Sequence, residues 1–376
     1  MTSISPKAVR KRGMAVASMA LLAAGAASAQ SNVQVYGMVD AGVEYLNRVG
    51  GSGSLMRMPT VTSGTMPSRL GFRGTEDLGN GLKAQFVLEM GMALDTGALQ
   101  QSGRGFGRQA HVGLSGHWGT LTLGRQYTMG LYAMMGSDLM GPAVYGLGSL
   151  NAYIPNQRLD NAVAYRGKFG NWDVGAVYSA GRDSLAPSNC AGENGSGGCD
   201  AYSAMVKYAT PAWGVTLAHD RLKGSAGSAG SAFFGQPAGL TIGNGSRDDH
   251  TYLTGYYMLD KTRLGAGVIH RSLKAVGETY RSNQYYVAVS HPVADKVVLD
   301  ATYTYLDANR RQANAQLLSV RGSYLFSKRT KAYALAGTVH NDANVGYSVS
   351  GGTAAAASPG LGKGQMGVMV GLFHAF

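Results

Sequence analysis

The chain has 376 residues, 33 of them Lys or Arg and 21 Asp or Glu, for a formal charge of +12. The basic residues are spread along the chain, with no Lys/Arg run longer than two beyond the first 12 positions, which argues against the clustered patch that nucleic-acid binding requires. Fifty-six glycines, 21 tyrosines and only ten prolines suit many twisted strands with aromatic rims and Gly-rich turns.

Residues 1–12 carry Lys7, Arg10, Lys11 and Arg12 without an acid. A short run of small apolar residues follows from Met14 and ends in Ala27-Ser28-Ala29. This order is that of an export signal, so residues 1–29 are expected to be cleaved and the mature chain to begin at Gln30. The apolar run falls short of the ~20 residues a spanning helix needs, which argues against a membrane anchor. Cleavage leaves 29 basic and 21 acidic residues, a net +8.

The mature chain, 30–376, then alternates between strand patterns and turns. Strands are expected near 32–47, 66–77, 81–93, 106–115, 118–126, 158–168, 171–182, 200–210, 212–223, 249–259, 262–273, 281–290, 296–306, 315–326, 330–341 and 364–376, sixteen in all. Short turns such as Asp77 to Gly81 and Gly116 to His117 alternate with long Gly-, Ser- and Ala-rich connections at 48–65, 127–157, 183–199, 224–248 and 342–363. Sorting loops by length to opposite ends is the habit of an outer-membrane barrel, and a soluble sandwich has no reason for it. We therefore expect an all-β fold, a 16-stranded antiparallel transmembrane β-barrel in the outer membrane of a gram-negative cell.

Faces follow from parity. In the first strand Val33, Val35, Val39, Ala41, Val43 and Tyr45 form an apolar row for lipid, while Gln34, Met38, Asp40 and Glu44 point into a wet lumen. In the second, Leu70 and Phe72 point outward, and Arg69 and Arg73 inward. Asp160 and Arg166 of the sixth strand are also taken as lumen-facing. A charged inner row implies water inside, because unpaired charge in a dry core is too costly.

Between the fifth and sixth strands, 127–157 is long for a connection, holds no Lys or Arg and has a single acid, Asp138. Cys190 and Cys199, the only cysteines, fall in the long segment after the seventh strand. An oxidising compartment and a nine-residue separation predict a disulfide, with free thiols or a metal site as alternatives. The eight histidines are scattered without zinc-binding spacing, and no Gly-x-Ser-x-Gly pattern occurs, so no enzyme, cofactor or metal centre is expected. His111 and His374 are assigned to the interfacial aromatic girdle. The last strand alternates to a terminal Phe376 that is read as the assembly signal, and a strand ending there closes the barrel by pairing with the first.

The run Ser68-Arg-Leu-Gly-Phe-Arg-Gly-Thr-Glu-Asp-Leu-Gly-Asn-Gly-Leu-Lys-Ala84, with Val35-Tyr-Gly-Met-Val-Asp40 before it and Gly107-Arg-Gln-Ala-His-Val-Gly-Leu114 and Leu123-Gly-Arg-Gln-Tyr127 after it, resembles the general diffusion porins, in particular their betaproteobacterial branch. The resemblance implies a homotrimer whose third external loop, 127–157 in each barrel, folds inward to narrow the pore. By the same similarity Arg69, Arg108 and Arg158 form the arginine ladder at the constriction, and Asp138 is a loop acid facing it. Where a second loop acid is usual this chain has Gly141, Pro142 and Ala143, so three arginines meet one aspartate. An excess of fixed positive charge concentrates anions. The expected function is passive diffusion of small hydrophilic solutes and inorganic anions, the alternative being a substrate-selective channel for organic anions. Outer-membrane lipid and lipopolysaccharide are the other expected partners.

Overall fold

A computed structural model describes residues 32–59, 62–182, 190, 198–225, 240–351 and 357–376. The expected signal, 1–29, and the start at Gln30 lie outside them. The strands are β1 (Asn32–Val49), β2 (Gly53–Arg57), β3 (Arg69–Gly79), β4 (Leu82–Gly91), β5 (Gln109–Gly116), β6 (Gly119–Tyr127), β7 (Arg158–Leu159), β8 (Ala162–Phe169), β9 (Trp172–Ser179), β10 (Ala201–Ala209), β11 (Trp213–Lys223), β12 (Arg247–Leu259), β13 (Thr262–Lys274), β14 (Thr279–Ala294), β15 (Val297–Ala308), β16 (Ala315–Leu325), β17 (Thr330–Asn341) and β18 (Gln365–Ala375).

Neighbouring strands pair antiparallel around a closed sheet. β2 and β3 pair with the upper and lower parts of β1, and β7 and β8 with those of β6, so each couple makes one stave and the barrel has sixteen. The seam runs from Met38 opposite Ala375 to Leu46 opposite Gly367. At its end Phe376 exchanges two backbone hydrogen bonds with Gly37, at 3.0 and 3.2 Å. A side chain on Gly37 would place its Cβ 2.5 Å from the Phe376 ring, so the terminal aromatic needs a bare backbone beneath it.

The outer face is apolar along its length: Val33, Val35, Val43, Val112, Leu123, Leu217, Val287, Val368 and Val370 are all exposed. In water such a surface would drive aggregation; in a bilayer it meets its own kind. Phe169, Trp172, Trp213, Tyr257, Tyr324 and Phe326, all exposed, lie within a few residues of the short turns and form one belt, as a membrane interface favours. The turn from β3 to β4 shows how these connections stay short. Gly79, Asn80 and Gly81 all take positive φ, and the Asp77 carboxylate accepts the Gly79 N–H at 2.9 Å.

Loop 48–65 differs from expectation in containing β2, whose five residues extend the barrel wall. Beyond it, residues 62–66 turn into the lumen and dock on Asp40. In the long connection between β9 and β10, Cys190 and Cys199 are joined as a disulfide, beside the buried Arg182, which donates to the Lys223 carbonyl at 2.6 Å.

Candidate functional site

The residues after β6 leave the wall and run through the inside of the barrel. They begin with a helical turn, α1 (Met129–Met134), whose root is held by Asp220 of β11. This buried carboxylate accepts from Thr128 Oγ1 at 2.9 Å, Gly130 N at 3.1 Å, Tyr153 OH at 2.9 Å and Ser203 Oγ at 2.5 Å, with Tyr252 OH at 3.4 Å. A Cβ on Gly130 would meet the same carboxylate, so glycine lets the chain approach.

The segment then lies along the inner faces of successive strands. Thr254 Oγ1 donates to the Ala133 carbonyl at 2.6 Å, Arg263 Nε to Gly136 O at 2.8 Å, and Ser137 Oγ meets Tyr286 OH at 2.8 Å. Arg321 donates to Met140 O and Leu139 O, at 2.9 and 3.2 Å, while paired to Asp300 at 2.7 Å. Ser319 Oγ donates to Tyr145 O at 2.7 Å. The contacts reach from β10 round to β16, and they are made by inward-facing side chains, alternating with exposed Leu318 and Val320 on β16.

On the wall that this segment leaves uncovered, Arg69, Arg108 and Arg158 gather round Tyr127 and Glu89. Arg108 Nε bonds Glu89 Oε1 at 2.7 Å and its Nη2 donates to Tyr127 OH at 2.7 Å. Arg69 Nη1 lies 3.8 Å from the same carboxylate, which also accepts from Tyr36 OH at 3.0 Å and Tyr127 OH at 3.2 Å. Arg158 stacks 5.0 Å above the Tyr127 ring and donates to the Pro155 carbonyl at 3.1 Å. Among the described residues no carboxylate lies within ion-pair distance of Arg158. Arg69 and Arg108 therefore share one acid, and Arg158 adds a third guanidinium that shares none.

That acid, Glu89, was missed in the sequence, although Lys83, Gln85 and Glu89 alternate along β4 on one parity. Asp138 takes a different place from the one expected. It makes no contact with the three arginines; its Oδ1 accepts the Gly141 N–H at 3.1 Å, and the cation that acts on it is Arg321. Burial within the loop pushes its carboxyl up to about 7, against the smaller opposing pull of the Gly141 N–H and Arg321.

The other expected lumen acids point inward but are spent on structure. Asp40 accepts from Thr65 N at 2.8 Å, Met66 N at 2.9 Å and Tyr333 OH at 2.7 Å, fixing residues 62–66. Glu44 is wholly buried and paired with Arg57 at 2.8 Å. Asp160 is bonded to Arg125. Each of these inward-pointing acids is thus engaged by the protein's own groups. Arg73, by contrast, is exposed, donating to Gln34 Oε1 at 3.0 Å and lying 5.1 Å over the Tyr36 ring, and Arg166 lies 3.8 Å over the Tyr132 ring, paired to Asp173 at 3.2 Å. Two further inward cations, Arg263 and Lys207, bond loop carbonyls rather than carboxylates. His111 also departs from expectation. With Val112 and Leu114 exposed on the outer face, parity turns it inward, where it lines a water-accessible cavity with Gln85, Thr122 and Arg166.

A family model described as Gram-negative porin matches residues 15–344. Outer membrane porin protein 32 of Delftia acidovorans is 30% identical over 96% of this chain and 99% of its own. An outer membrane porin protein of Bordetella pertussis is 28% identical over 84% of this chain and 91% of its own. Among solved structures, an anion-selective porin from Comamonas acidovorans superposes with a TM-score of 0.75 and 27% identity, over 92% of this chain and all of that one. OmpT of Vibrio cholerae, in a trimer form, shares the fold at 18% identity, with a TM-score of 0.63 and coverage of 92% and 99%. A closed barrel with an apolar belt, a hydrated charged interior and these likenesses along nearly its whole length place the chain among the Gram-negative porins of the outer membrane.

Proposed function

We propose that this porin is a passive, anion-preferring channel for small hydrophilic solutes, with 127–157 as its constriction loop and Arg69, Arg108 and Arg158 as the charged wall opposite. The observation that carries this reading is the division of labour among charges. Acids such as Asp40, Glu44, Asp160 and Asp220 are buried in bonds that hold the loops. Arg73 remains exposed, and buried Arg158 has no acid among the described residues to neutralise it. A surplus of fixed positive charge beside low-dielectric walls raises the local concentration of anions. The anion selectivity of the Comamonas porin supports the same reading. Three copies per assembly are proposed on the strength of the family and of the OmpT trimer. Cleavage of residues 1–29 belongs to the same reading.

Single-channel conductance in exchanged salts tests it. Replacing chloride by a bulkier anion should lower conductance more than replacing potassium by a bulkier cation; the reverse would refute anion preference. Because the Asp138 carboxyl is pushed up to about 7, it is charged at pH 8 and largely neutral at pH 6. Acidification removes a negative charge from the loop, so anion preference should rise across this interval in the wild type. In Asp138→Asn that step should vanish.

A further inference from the structure

Above the inward loop, at the end of the barrel that carries the long connections, lies a cavity of about 530 Å³. Its walls come from the loop itself (Leu150, Asn151), from the inner face of β13 and β14 (Arg271, Tyr280) and from the connections after β15 and β17 (Arg310, Arg311, Tyr347, Leu361). Among the described residues, three arginines and no acid line it. Two of those arginines are engaged from behind: Arg271 is paired with Asp248 at 2.7 Å, and Arg310 with Glu278 at 2.8 Å. Arg311 is exposed, and no carboxylate among the described residues comes within ion-pair distance of it.

We propose that this vestibule is a binding site for a monoanionic carboxylate with a flat apolar body, an aromatic carboxylate being the simplest member. The proposal rests on the channel reading and adds an entry site with a preferred solute class. One free guanidinium matches one carboxylate in charge and in forked geometry. A dianion would need a second cation, and Arg271 and Arg310 give theirs to Asp248 and Glu278. The remaining wall is built for an apolar body. Leu361 is 69% exposed, Leu150 lines the floor, and the Tyr280 ring already takes Arg310 on one side, 5.9 Å from its centre. A bare inorganic ion gains nothing from such a surface, whereas an aromatic ring loses water against it. The site borders the inward loop at Leu150 and Asn151, so an occupant held there narrows the way past that loop.

The test uses the full-length porin in a planar bilayer carrying chloride current, with sodium benzoate or sodium acetate added to each side in turn. Benzoate added on the long-loop side should reduce the current saturably, and acetate at equal concentration should do so far less. Arg311→Gln should weaken benzoate block about fivefold, the scale of one partly exposed charge-assisted contact. Leu361→Asn should weaken benzoate block and leave chloride current unchanged. Equal action of benzoate and acetate would overturn the apolar part of the proposal, and a block untouched by both substitutions would overturn the site. An absence of chloride current in the unmodified protein would instead strike the channel reading itself.

Discussion

Replacing Arg158 by Gln is expected to lower the chloride-over-potassium permeability ratio about fourfold while leaving the barrel as stable as before. A unit charge about 10 Å from a passing ion, in mostly aqueous surroundings, is worth roughly 0.5 kcal/mol, about twofold for each sign of ion. Because Arg158 touches Tyr127 and the Pro155 carbonyl but no carboxylate among the described residues, its removal strands none of their charges. Arg108 behaves differently. Its loss leaves Glu89, 3% exposed, without its closest cation. Breaking such a pair from one side costs about 3–5 kcal/mol. Arg108→Gln should therefore lower the thermal unfolding midpoint as well as the selectivity, and reversal potentials measured beside heat-denaturation gels for the two variants separate these effects. Equal selectivity loss with equal destabilisation in both would mean that Arg158 is structural and that its charge does not reach the pore.

Asp220→Ala is expected to loosen the inward loop without opening the barrel. The carboxylate gathers donors from the loop root, Thr128, Gly130 and Tyr153, and from the wall, Ser203 and Tyr252. Removing it orphans several buried donors at once, each costing about 1–3 kcal/mol until water or a rearrangement satisfies it. The ladder of strand hydrogen bonds is untouched, so the cost falls on the loop. Single-channel records should show larger, noisier openings, and a folded barrel should still form. Asp220→Asn, which keeps the shape and one acceptor, should lie between the two. Quiet wild-type openings in Asp220→Ala would show that the contacts from β12 to β16 hold the loop by themselves.

The barrel was legible in the sequence because its two signals are local. Side-chain alternation declares which row meets lipid, and loop length declares which end a turn belongs to; neither needs a partner to be known. β2 escaped because five residues flanked by Gly and Ser look like a connection, and only pairing with Glu44 to Val49 makes them wall. The inward direction of Glu89 was readable from parity along β4, but nothing in the sequence marks it as the acid that Arg69 and Arg108 share. His111 was likewise readable from its neighbours Val112 and Leu114. Asp220 was not readable, since its strand is ordinary and its role appears only when a loop some 90 residues earlier in the chain comes to rest on it. The same holds for Asp40, whose inward direction follows from alternation while its capture by residues 62–66 does not. Sequence reports the direction of a charge well, but not whether a passing ion or the protein's own backbone will use it.

The most direct measurement is the zero-current potential of the refolded protein in a planar bilayer separating concentrated from dilute KCl. If lumen cations meet the water and acids are turned into the wall, chloride crosses ahead of potassium and the dilute side becomes negative. A positive dilute side would contradict the account, because potassium would then lead through a passage whose field is set by carboxylates.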